Sequence, residues 1–185
     1  MKLKAAALGL VLAALVNGPA LAGEFAVTSP SLSNGATIGN KHVFAGFGCT
    51  GDNRSPALSW TGAPADAKSF AVTVYDPDAP TGSGWWHWVV FNIPAGTTEL
   101  KEGAGDAKGA SLPAGSVQSV TDFGQPGFGG PCPPAGDKPH RYIFSVHALK
   151  LEKLPLETGA SGAMVGFFLG QNTIAKASVT GLYGR

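Results

Sequence analysis

Five side chains in two distant stretches of the sequence have types that can do chemistry together. Asp76, Asp78 and His87 lie in one stretch, His140 and Tyr142 in the other. Imidazole N–H and phenol O–H groups donate to anionic oxygens. A carboxylate beside them is out of place as an anion ligand. It makes sense if it fixes a histidine tautomer and raises the charge on that ring, or if it accepts from a ligand amine or a phosphate OH. The same acids and histidines are chemically able to hold zinc, which needs three or four converging ligands. A His–Asp pair could also serve a hydrolase, but no serine or free cysteine occupies a nucleophile position. Gly159-Ala160-Ser161-Gly162 departs from G-x-S-x-G at the fifth position.

The elements that must position these groups are strands. Two apolar runs, 70–75 and 86–93, alternate with period 2. In the first, Phe70, Val72 and Val74 share a face opposite Ala71, Thr73 and Tyr75. In the second, Trp86, Trp88 and Val90 oppose His87, Val89 and Phe91. The turn-rich segment between them holds both acids, and Pro77 and Pro80 stiffen its backbone. Rigid loops on a β-scaffold are where sites are usually built. Residues 140–149 alternate again, with His140, Tyr142, Phe144 and Val146 on one face.

The remaining chain reads as short strands at 24–29, 42–47, 57–60 and 117–120, and a last strand at 174–183 with Gly181 as a weak spot or bulge. One helix is expected over 161–172, capped by Ser161. Residues 94–113 are polar and loop-like, and 125–139 is a long Gly/Pro loop tied down around Cys132. Loops of that length are usually functional or disordered. Two motif echoes carry nothing. Gly46-Phe47-Gly48-Cys49-Thr50-Gly51 fits G-x-G-x-x-G, but Asn53-Arg54-Ser55-Pro56 follows where a helix is required. Asp122-Phe123-Gly124 echoes a kinase magnesium motif without the other kinase elements. His42 and His147 read as structural or surface residues, and Trp86 and Trp88 as core or interface.

Lys2 and Lys4, the apolar run 5–16 and the Ala20-Leu21-Ala22 site form a secretory signal, so residues 1–22 are expected to be removed. The run is too short to span a bilayer. Residues 23–185 are enough for one domain. Cleavage removes two of thirteen Lys and Arg against twelve Asp and Glu, leaving a chain about one charge negative. That argues against nucleic acid or an anionic membrane as a bulk electrostatic partner. The protein is expected in the periplasm or outside the cell. Disulfides persist there, so Cys49 and Cys132 are expected to pair, the alternative being two free thiols. With 27 Gly and 14 Pro and no repeat, the chain must turn often between short strands. The fold class is therefore all-β, a sandwich with a small helical addition.

Three stretches carry a family resemblance: C-T-G-D-N-R-S-P-A-L-S-W from Cys49, D-P-D-A-P followed by G-W-W-H-W-V-V-F-N-I-P, and G-G-P-C-P-P-A-G-D-K-P-H-R-Y from Gly129. Together they resemble the phosphatidylethanolamine-binding protein (PEBP) family, and within it the bacterial Raf-kinase-inhibitor-like branch. The resemblance implies an antiparallel sandwich with a large central sheet packed on a smaller one. It also implies a small pocket for phosphate-like anions, here Asp76, Pro80, Trp85, His87, Pro134, His140 and Tyr142, with Asp78 holding the loop. Arg141 reads as an internal ion-pair partner rather than a ligand contact. Animal relatives have a longer C-terminal helix that helps frame this pocket, whereas this sequence ends soon after its last strand. Eukaryotic relatives inhibit kinases and some relatives inhibit serine proteases, so a kinase- or protease-class protein partner is one implication. A homodimer is another. The family implies no metal, cofactor or catalysis; a hydrolase, a protease inhibitor or an interaction module with a vestigial pocket are the alternatives. If His87 and His140 face one anion and Asp76 favours the charged imidazole, binding should tighten as pH falls from about 8 to about 6, chiefly through His87.

Overall fold

The computed structural model describes residues Gly23–Arg185, so the signal sequence expected over 1–22 lies outside the described residues. The strands are β1 (Ala26–Thr28), β2 (Ala45–Gly46), β3 (Cys49–Thr50), β4 (Leu58–Thr61), β5 (Ser69–Asp76), β6 (Trp85–Pro94), β7 (Glu99–Leu100), β8 (Val117–Gln118), β9 (His140–Leu149) and β10 (Thr173–Tyr183), with helix α1 (Gly162–Asn172) before the last. A five-stranded antiparallel sheet, ordered β10-β9-β5-β6-β8, packs on a three-stranded sheet, β1-β4-β7. The β2-β3 hairpin stands apart. The alternation of Phe70, Val72 and Val74 puts them between the sheets with Phe144, Val146, Leu58, Trp60 and Leu100. The other face of the large sheet, through Ala71, Val89, Phe91 and Leu149, packs on Val165 and Leu169 of α1. This is an all-β sandwich with one helical addition.

Three expectations change. Residues 42–47 do not form one strand: Asn40–His42 is a 3-10 turn and only Ala45–Gly46 is extended. His42 is held by the Arg54 carbonyl, 2.6 Å from its Nδ1. Phe47 and Gly48 both have positive φ, 52° and 85°, which is the backbone of a tight two-residue hairpin turn. The G-x-G-x-x-G echo is thus a hairpin. Second, β10 is irregular between Thr173 and Ala175, not at Gly181. Gly181 is instead a place of close approach, where a Cβ would lie 2.5 Å from Ile38 Cγ1.

Third, the strict alternation of 86–93 fails twice. Val74 pairs with Trp88 while Tyr75 pairs with Trp86, so His87 is an extra residue in β6. A bulge of this kind resets which side chains face which way. Trp88 enters the inter-sheet core, whereas Trp86 packs on the helix side. A second shift lies between the Phe70 and Val72 pairs, near Asn92. Asn92 has φ 58°, tolerable for asparagine, and its Oδ1 accepts from Leu154 N at 2.7 Å. Helix α1 starts one residue late, with Ser161 as its N-cap accepting from Met164 N at 3.2 Å.

Candidate functional site

The bulge at His87 and the loop between β8 and β9 build the site together. Where β6 has no strand neighbour at His87, Gly129 takes that place. Its N–H donates to the His87 carbonyl at 2.8 Å, and its carbonyl accepts from His87 Nδ1 at 2.6 Å. The loop is fixed at three further points. Phe128 N bonds the Gly105 carbonyl at 2.7 Å, Gly130 N bonds Asn53 Oδ1 at 2.7 Å, and Cys132 is disulfide-bonded to Cys49, 83 residues away in sequence. Only a glycine fits at 130, where a Cβ would lie 2.0 Å from the His42 carbonyl oxygen. The Arg185 guanidinium tacks the rim together, donating to the carbonyls of Pro133 at 2.7 Å and Phe47 at 3.2 Å.

The acids follow from the β5–β6 loop. Asp76 Oδ1 accepts from Asp78 N at 2.8 Å and Ala79 N at 3.1 Å, a local turn that its carboxylate nucleates. Its Oδ2 lies 2.8 Å from His140 Nδ1. Both residues are buried. The other ring nitrogen of His140 is 3.3 Å from Asp137 Oδ2. Asp78 is engaged by Arg141 instead. It accepts from Arg141 Nε, Nη2 and backbone N at 2.7–2.9 Å, and the hydrogen bonds from Arg141 hold its carboxyl at about 2.

The seven residues of the expected pocket, Asp76, Pro80, Trp85, His87, Pro134, His140 and Tyr142, line one cavity of about 220 Å³. Phe47, Phe123, Cys132 and Pro133 also line it, and sequence reasoning did not put them there. Phe123 is the middle residue of the discarded kinase echo. It stands edge-on to His87 at 5.3 Å and to Trp85 at 5.5 Å. Periodicity cannot reveal a loop residue that becomes a wall. Phe47, on the hairpin turn, is 69 % exposed and extends this aromatic wall to the surface through Phe44.

Burial sets the electrostatics. His87 is held at about 4, chiefly by desolvation of the charged ring, against which the Gly129 carbonyl and Asp76 pull upward without prevailing. The expectation that Asp76 would carry His87 through a titration between pH 6 and 8 is corrected here. The nearer hydrogen-bond partner of Asp76 is His140, and burial is the largest effect on His87. The Tyr142 hydroxyl is buried without a partner among the described residues, and desolvation followed by the Asp76 charge raises its pKa. His147 lies on the other face of the sheet, beside a separate cavity with Thr73 and Lys176.

A model of the phosphatidylethanolamine-binding protein family matches residues 28–184. The Escherichia coli protein YbcL is 56 % identical over 170 residues, 92 % of this chain and 93 % of that one. The E. coli protein YbhB is 52 % identical over 84 % of this chain and 97 % of its own. The crystal structure of E. coli YbcL, described as a new member of the mammalian PEBP family, superposes with a TM-score of 0.87 and covers 88 % of this chain and 99 % of its own. A putative PEBP homologue from Chlamydia trachomatis, 32 % identical, reaches 0.72 over 88 % of this chain and 98 % of its own. With match, identity and fold agreeing over nearly all the described residues, this chain belongs to the phosphatidylethanolamine-binding protein family.

Proposed function

We propose that the protein is an exported binding protein whose cavity holds a small anion, a phosphate or a phosphoryl headgroup, and that it acts by binding rather than catalysis. One observation carries this reading: an unpartnered buried tyrosine hydroxyl and two histidines from separate parts of the chain border one cavity with prolines and aromatic rings for walls. A few polar groups fixed in an apolar concavity are the usual form of a small-ligand site. Against catalysis, the aliphatic hydroxyl and the sulfur that border the cavity are both engaged. The Thr81 hydroxyl donates to the Gly84 carbonyl, and Cys132 is in the disulfide.

Calorimetry with phosphate and phosphoethanolamine tests the reading. Binding at millimolar ligand, lost in Tyr142→Phe, supports it. No binding favours the alternative of a protein-interaction module, a protease inhibitor included, in which the motifs serve the fold of their loops. Export is supported by the signal-like residues 1–22 and by the disulfide, and a relative from Mycobacterium tuberculosis, 34 % identical, is named a putative lipoprotein. Intact mass of the periplasmic fraction should show a chain beginning at Gly23; a chain that keeps Lys2 and Lys4 there would refute it. A homodimer belongs to the same proposal. Helix α1 leaves Met164 and Phe167 exposed, 49 % and 62 %, and light scattering decides it.

A further inference from the structure

His87 borders the cavity with one ring nitrogen already engaged. Its Nδ1 faces the Gly129 carbonyl, which can only accept, so Nδ1 carries the proton. In the neutral ring Nε2 is then an acceptor. Among the described residues Nε2 has no hydrogen-bond partner, and the residue borders the cavity. The titratable groups packed around it are Asp76 from β5, His140 and Tyr142 from β9, and Asp122 from the segment after β8. None of them donates to Nε2.

Donors for a ligand are few. The Tyr142 hydroxyl is free. His140 Nε2 is shared with Asp137. The Asp76 carboxylate only accepts, and both of its oxygens are already engaged. Pro80, Pro133 and Pro134 stand in the wall where backbone amides would otherwise donate. A fully ionised tetrahedral anion would press an oxygen lone pair against the lone pair of Nε2. Resting on the anion-pocket reading above, we infer that the cavity takes an oxyanion that brings its own proton, with a ligand P–OH donating to His87 Nε2 and a second oxygen accepting from Tyr142 Oη. Hydrogen phosphate and the monoanion of a phosphomonoester meet this demand. Sulfate and a phosphomonoester dianion do not.

The intact disulfide-bonded protein is titrated calorimetrically with inorganic phosphate, sulfate and phosphoethanolamine at matched ionic strength. At about pH 7.5 sulfate should bind at least about tenfold more weakly than phosphate, the scale set by an unmatched buried acceptor. Phosphoethanolamine should weaken by up to about tenfold per pH unit above its second ionisation near ~6. Inorganic phosphate, which keeps a proton throughout this range, should change much less. Sulfate must protonate His87 to bind, so its heat should vary with the ionisation enthalpy of the buffer, a readout that needs no variant. In His87→Gln the amide can donate to either anion, and the phosphate-to-sulfate ratio should collapse toward unity. Sulfate binding equal to phosphate in the unmodified protein, with no proton uptake, would overturn this inference and leave the anion pocket standing. Absence of phosphate binding at millimolar concentration would overturn both.

Discussion

His87 and His147 lie on opposite faces of one sheet, and burial holds both at about 4. Both rings are therefore neutral near pH 7, and both border a cavity, the one beside His147 being the larger at about 330 Å³. They differ in what each ring has left to offer. His147 sets Nε2 against Thr73 Oγ1 and Nδ1 against Thr173 Oγ1, each at 3.3 Å. His87 spends one nitrogen on Gly129 and keeps the other. A depressed pKa and a nearby hollow therefore record burial, and the proposal for the His87 cavity rests instead on an unspent hydrogen-bonding atom and an unpartnered hydroxyl. The two regions also differ in how they are held: a covalent bridge anchors the loops around His87, and packing of α1 covers the face that carries His147.

The covalent difference should give the largest effect. Opening the Cys49–Cys132 bridge, by reduction or by Cys49→Ala with Cys132→Ala, should cost roughly 2–5 kcal/mol of stability, as expected for a long closed loop. Denaturant unfolding with and without reductant measures it. An unchanged midpoint would mean that packing alone holds the pocket loops. Next comes the functional contrast. His87→Ala should weaken phosphate binding by about 10–100-fold, the range for loss of a hydrogen bond in a buried site, while His147→Ala and His42→Ala leave it unchanged. If His147→Ala matters as much as His87→Ala by calorimetry, the comparison collapses.

The likeness between the two rings predicts a shared pH effect on stability. Each folded-state pKa is depressed, so the unfolded chain binds more protons between about 4 and the ordinary value of about 6.5. The stabilisation is present above about 6.5 and is lost as pH falls through that window, at up to about 1.4 kcal/mol per pH unit for each ring. Urea unfolding across pH 4.5–7 should show the loss, and His147→Gln should reduce its slope. The smallest effect belongs to Arg141. Its pair with Asp78 is bidentate but the arginine side chain is 55 % exposed, so Arg141→Ala should leave the thermal midpoint almost unchanged. A larger loss in thermal unfolding would mean that the Asp78 turn controls the whole loop that positions Asp76.

Much of the fold was legible. Residues 140–149 alternate without a break and form β9 over those limits. The apolar positions of 161–172 gave the helix, and Ser161 its cap. The second tryptophan-rich run was misread in phase because periodicity assumes one residue per pleat, and His87 is an inserted residue. That insertion depends on Gly129, 42 residues away, bonding both the backbone and the ring of His87. No local pattern contains it.

The sequence by itself determined which residue types could meet. Three short motifs, two of which bring two acids, two histidines and a tyrosine together with prolines, carried the family, and strand alternation carried the sandwich. Tertiary structure alone decided their protonation and their free valences. A histidine's charge depends on the solvent it loses and on the carbonyls it gains from distant loops. For that reason His87, expected to titrate near neutrality beside Asp76, is a buried acceptor, while the Asp76 carboxylate orients His140 instead.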